Sequence, residues 1–254
     1  MIDYGAPLPC RGTLTAREKV RKRSSVPAAK AIGGSEGSVT SARTTASVKL
    51  VQMDRTELTP SQQILCGDCG QITPGYEIVN YGSAERGYRQ LCGQCFNALV
   101  AKLDGLEGFE NAKFEPVGLT DCAGEAHQFH FRIHLFGTGV ALDAFELRDG
   151  DPAGYQFQII GEPEDDLLVL LGRLIEKIRR ALSVKHITED ARGLQIADHR
   201  VVRGRIDWDD ASDGRVPRLV VDGREVTWED FGRMLMGFEG WQFRLHLHDK
   251  SEEV

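Results

Sequence analysis

Four cysteines carry the strongest chemical signal in the sequence. Cys66, Cys69, Cys92 and Cys95 read C-x2-C-x22-C-x2-C. A Cys-x-x-Cys pair bends the backbone into a knuckle that presents two sulfurs to one ion, and two knuckles complete a tetrahedral shell. Four thiolates leave no position for water, so an ion held there keeps a shape and activates no substrate. Gly67, Gly70 and Gly93 fall inside or beside the knuckles, where the backbone must turn closely. The expected cofactor is one structural zinc ion. Iron is an alternative, because four thiolates also suit iron–sulfur sites. A redox role is another, although a thioredoxin-like pair normally comes singly beside a βαβ pattern that this sequence lacks. The other two cysteines, Cys10 and Cys122, stand apart from the motif.

Three further constellations contain chemically capable residues. "DCAGEAHQFHF" holds Asp121, Cys122, Glu125, His127 and His130. His127 and His130 fall on opposite faces of an extended strand, so a polar approach to a strand is the plainer reading. "HLHD" sets His246 and His248 on one strand face beside Asp249. If "FRIHL" at Phe131 and "FRLHL" at Phe243 were neighbouring strands, His130, Arg132, His134, Arg244, His246 and His248 would form one polar face. Protonated histidines would make that face cationic and able to hold a phosphate or an acidic partner; a solvated sheet face is the plainer alternative. "IDWDD" offers Asp207, Asp209 and Asp210 for magnesium, or simply for a turn. The sequence has no phosphate loop, dinucleotide glycines, HExxH or nucleophile elbow. No catalytic residue is therefore assigned.

The cysteines need elements to position them. Between the pairs, "YEIVNY" and "YRQL" read as a hairpin with "GSAERG" at its turn, and "FNALVAKLDGL" reads as a helix beginning at the second knuckle. These pieces are too small to fold alone, so metal binding supplies folding energy. A knuckle, a hairpin and a knuckle running into a helix resemble the treble-clef family, and "LCGQCFNALVAKL" is similar to the latter half of a GATA-type finger. The resemblance covers residues 64–104, and plain zinc ribbons share the cysteine spacing without the helix. It implies DNA reading by helix and loop residues, many of them basic. This module places Lys102 on the helix and Arg86 and Arg89 on the hairpin. The region after Phe114 resembles an uncharacterised bacterial domain found behind zinc ribbons, a likeness that implies no activity.

Beyond the module, "HQFHFRIHLFG" alternates strictly, with Phe129, Phe131, Ile133 and Leu135 on one face. "GTGVALDAFEL" follows at hairpin distance and "YQFQII" is a third strand. A helix is expected over residues 163–185, with Pro163 in its first turn and a stripe of Leu167, Leu170, Leu171, Leu174, Ile178 and Leu182. "RVVRGRIDW" and "RLVVDG" read as strands, "TWEDFGRMLMGF" as a short helix opened by Thr227, and "GWQFRLHLHD" as a terminal strand. The fold class is α+β: a four-cysteine zinc module over 61–106, then an antiparallel-sheet domain with two covering helices over 107–254.

Residues 1–60 read as a disordered basic arm, rich in Ser, Thr, Ala and Gly and nearly free of large apolar side chains. The first fifty residues carry nine Lys and Arg against three acids, a net of +6; the whole chain is −7, so the remainder is −13. Arg21, Lys22 and Arg23 are the cluster expected to meet an acidic protein or a nucleic acid. The acidic body by itself repels phosphate. The longest apolar run, "LLVLLGRLI", is too short to span a bilayer and is broken by Arg173, so a cytoplasmic protein without membrane contact is expected. The leading functional expectation is a non-catalytic zinc-binding adaptor for a protein or nucleic-acid partner. The alternatives are a zinc-finger nucleic-acid binder acting through arm and finger, and a metal-dependent hydrolase or nuclease using the histidine face.

Overall fold

The computed structural model describes residues 63–252 apart from 84, 86 and 138. The expected arm, with Arg21, Lys22 and Arg23, and the hairpin-tip Arg86 lie outside the described residues. Two short strands open the described chain, β1 (Gln63–Leu65) and β2 (Ile72–Pro74), paired antiparallel around the first knuckle. The expected hairpin follows as β3 (Ile78–Ser83) and β4 (Gly87–Cys92). Helix α1 (Gly93–Asp104) starts directly at the second knuckle and stops where Gly105 takes a left-handed conformation, φ 69°.

The main sheet is a four-stranded antiparallel meander, β5 (Val117–Thr120), β6 (Ala126–Phe136), β7 (Gly139–Arg148) and β8 (Asp151–Gly161), in that spatial order. The alternation read in β6 sets the inside face: Phe129, Ile133 and Leu135 are buried, and Phe131 packs partly against them. Leu142, Ala144 and Ile159 add the neighbouring rungs. Helix α2 (Leu167–Leu182) closes this core with Leu167, Leu170, Leu174, Ile178 and Leu182. It begins later than the proline suggests. Asp166 is the N-cap, accepting from the amides of Leu168 (2.8 Å) and Val169 (3.4 Å), and a capped start outweighs proline's tolerance for the first turn.

The C-terminal part builds a second, smaller core. β9 (Ile187–Asp190) and β10 (Gly193–Ile196) form a hairpin, and β11 (Gly204–Asp207), β12 (Arg218–Val221) and β13 (Arg224–Val226) form a three-stranded sheet. Helix α3 (Trp228–Leu235) is capped by Thr227, whose hydroxyl accepts from the Asp230 amide at 3.0 Å. Ile187, Val221, Val226 and Met234 are buried together. The β12–β13 turn is Asp222–Gly223, both at positive φ, as a two-residue turn of this hand requires. An added Cβ at Gly223 would lie 2.7 Å from the Tyr155 ring.

The expected terminal strand is not formed. Residues 241–249 pair with no strand among the described residues, and Phe243, Leu245 and Leu247 are exposed. Alternation specifies which side chains share a face but supplies no ladder partner. The fold is α+β as expected, and among the described residues no helix is long and apolar enough to cross a membrane.

Candidate metal centre

The two knuckles converge. The sulfurs of Cys66, Cys69, Cys92 and Cys95 all lie within 4.8 Å of one another, and the Cys69 and Cys92 sulfurs are 3.8 Å apart. A disulfide needs about 2.05 Å, and these cysteines are free thiols. Four sulfurs at tetrahedral corners, each about 2.3 Å from a central ion, stand about 3.8 Å from one another. The residues present therefore fit a single metal ion.

Local backbone explains the convergence. The Gly70 amide donates to the Cys66 carbonyl at 3.0 Å, the Cys66 amide to Gln71 at 2.9 Å, and the Gly67 amide to Gln90 on β4 at 2.7 Å. The first bond closes the knuckle, and Gly70, at φ 70°, supplies the left-handed residue that the turn demands. The third bond ties the first knuckle to the strand leading into the second. Cys92 caps α1 and Cys95 lies in its first turn, where the helix dipole favours negative sulfur.

The thiols are electrostatically unequal. Burial works to raise the Cys66 thiol, but amides of Cys92, Cys69 and Asp68 point at its sulfur and hold it down at about 6. The Cys92 amide stands 3.2 Å from it. Burial and the neighbouring thiols push Cys92 and Cys95 up. Four sulfurs in this space cannot all ionise beside one another unless a cation is shared among them.

A side chain that the sequence did not single out joins this module to the sheet. Asn97 on α1 is 1% exposed. Its amide nitrogen donates to the Ile133 carbonyl at 2.9 Å, and its oxygen accepts from the Leu135 amide at 2.9 Å. β5 pairs with β6 only as far as Phe129, so the stretch of β6 beyond it has an open edge. Asn97 fills that edge as a peptide group would. Arg132 adds a second tie, donating to the Tyr76 carbonyl at 2.7 Å and to Asp143 at 3.1 Å.

The expected histidine face is divided. His130 stacks on Phe145 and His134 meets the edge of Phe96, and burial lowers both imidazoles. This half is held towards the neutral form. Arg244, His246 and His248 lie on the exposed C-terminal stretch, where His248 pairs with Glu252 at 3.1 Å. Arg89 is engaged by Asp68 at 3.1 Å. Asp207 is bound by Arg205, and Asp209 by Arg218 at 2.6 Å, so these acids already hold cations.

Asp121, Glu125 and His127 also bring ligand atoms within 4.8 Å of one another. A lysine fills that space: Lys185 Nζ is 2.5 Å from Asp121 Oδ2. His127 lies between Asp121 (3.4 Å) and Glu146 (2.8 Å), and Glu146 also accepts from the Tyr155 amide at 2.7 Å. Burial works to raise the Asp121 carboxyl; Lys185, the Glu125 amide and His127 outweigh it and hold it at about 2. The cluster is a buried polar knot. Glu146 and Lys185, which complete it, are far from "DCAGEAH" in sequence and carried no local signal.

Three family models match the chain, each described as a domain of unknown function: DUF7685 over residues 65–107, DUF7686 over 110–183 and DUF7713 over 186–252. The first contains all four cysteines, the second the main sheet and α2. No named zinc-finger family is among them. Comparison with curated proteins and with solved structures gives no match.

Proposed function

We propose that the protein is a non-catalytic adaptor, in which one zinc ion at Cys66, Cys69, Cys92 and Cys95 fixes a small module against the sheet, so that the two present a rigid surface to a protein partner. The observation that carries this reading is the closed four-sulfur shell, whose helix is bonded through Asn97 to β6. With every ligand a thiolate, the ion has no open position for water or substrate. A multi-iron cluster places several atoms between its thiolates and needs them further apart than the 4.8 Å limit here; a single zinc ion suits the spacing. A protein partner is favoured over nucleic acid because the chain beyond residue 50 carries −13 and the finger's Arg89 is tied to Asp68.

Elemental analysis of freshly purified protein is expected to give one zinc per chain. A partner identified from the native host and then purified is expected to bind the wild type and to lose affinity for Cys92→Ser. Neutralising Arg21, Lys22 and Arg23 should weaken the same complex, more steeply at low salt. Divalent-metal-dependent cleavage of nucleic acid that disappears in a His246→Ala/His248→Ala variant would overturn the adaptor reading.

A further inference from the structure

Residues 241–248, Trp-Gln-Phe-Arg-Leu-His-Leu-His, have the composition of a strand and join no sheet among the described residues. Trp241, Phe243, Leu245 and Leu247 are 59%, 90%, 73% and 71% exposed. Residues 242–248 form no backbone–backbone hydrogen bond among the described residues. Both ends of the stretch are nonetheless tied down. Upstream, the Trp241 amide donates to Phe238 at 3.0 Å, and the Arg200 guanidinium lies 4.8 Å from the Trp241 ring. Downstream, Lys177 donates to the carbonyls of Lys250 (3.2 Å) and Glu252 (2.8 Å), and Lys250 reaches Asp143 at 3.2 Å. A free tail would need neither anchor. An open apolar segment fixed at both ends is prepared to pair, because little ordering cost remains.

We propose that residues 241–248 are a dimerisation strand, pairing antiparallel with the same segment of a second copy about a twofold axis at Leu245. A twofold interface must be self-complementary, and this register is. It sets Leu245 against itself, Phe243 against Leu247, Arg244 against His246 and Gln242 against His248, with Trp241 opposite Asp249 at the end of the ladder. Shifting the axis to Arg244 would face two arginines, and like charges directly opposite destabilise a ladder. Shifting it to His246 would face two histidines and leave Trp241 and Gln242 opposite the turn that follows Asp249. The near-identical "FRIHL" of β6 already pairs as an antiparallel strand in this protein, so the pattern suits a ladder. The four apolar residues expose on the order of 600 Å² per copy. In the paired ladder these side chains stand side by side on one face, each covering part of its cross-strand neighbour.

Sedimentation of the full-length, metal-loaded chain at tens of micromolar tests this. Wild type is expected to be a dimer. Leu245→Asp is expected to be a monomer with an unchanged melting temperature, since position 245 touches no core. Mild oxidation should cross-link Leu245→Cys across the axis and leave Gln242→Cys uncross-linked. A monomeric wild type, or a dimer that survives Leu245→Asp, overturns the proposal. So does a monomer whose amides 242–248 resist hydrogen exchange, which would assign the strand's partner to residues 1–62 of its own chain.

Discussion

Asp121 shows how much one buried carboxylate can carry. It has no exposed side-chain surface, yet it accepts from the Ala123 amide (2.9 Å) and the Glu125 amide (2.8 Å) and pairs with Lys185. Those contacts depend on its charge, which explains a carboxyl at about 2 against an ordinary 3.8. A folded-state value below the unfolded one means that the unfolded chain takes up the proton first as pH falls. The stabilisation is thus complete above about pH 4 and is lost as pH drops towards 2, and is worth about 2 kcal/mol at neutral pH. Asp121→Asn is expected to unfold at lower denaturant than wild type at pH 7. Repeated urea titrations between pH 4 and 2 should find the two midpoints converging. A gap that stays constant across that range would mean that the carboxylate's charge is irrelevant.

Among the elements, α1 serves two structures at once. Its first turn supplies Cys95 to the four-cysteine cluster, and two residues further along Asn97 completes the open edge of β6. The Ile133 carbonyl and the Leu135 amide are thereby satisfied without a fifth strand. Removing the side chain leaves both buried groups without their partner. Asn97→Ala is expected to destabilise by about 2–4 kcal/mol, the sum of two unsatisfied buried backbone groups. Equilibrium denaturation measures the loss. Hydrogen exchange at Leu135 should speed up more than at Leu142, whose rung lies inside the ladder between β6 and β8.

Among the described residues, two apolar cores and a four-cysteine cluster are held by different forces. The sheet–α2 core rests on large buried side chains such as Phe129, Leu135, Leu142 and Leu174. The module's own cluster is only Cys66, Leu91 and Cys92, with Cys95, Phe96 and Leu99 beside them, too little to offset chain entropy without metal. Chelation is therefore expected to melt the module first and leave the sheet core folded. Calorimetry should show one high-temperature transition that persists in excess chelator and a second that disappears. Circular dichroism is expected to lose the signal of α1 while keeping that of α2. Loss of all structure on chelation would show the metal to be the keystone of the entire fold.

Local information was enough to bring the four cysteines together, because two Cys-x-x-Cys knuckles and the glycines beside them encode their own geometry. It also determined the α2 stripe and the buried face of β6, since periods of 3.6 and 2 follow from backbone geometry alone. The boundary of α2 was less legible: Pro163 suggested the start, and only the observed cap bonds place it after Asp166. Tertiary structure alone decided the rest. Asn97 has no motif, and its role exists only where α1 meets an open strand edge. Lys185 and Glu146 reach Asp121 and His127 from distant parts of the chain. For residues 241–248 the sequence specified a strand, but the ladder partner that a strand requires is a property of the assembled fold, and no described part of this chain provides one.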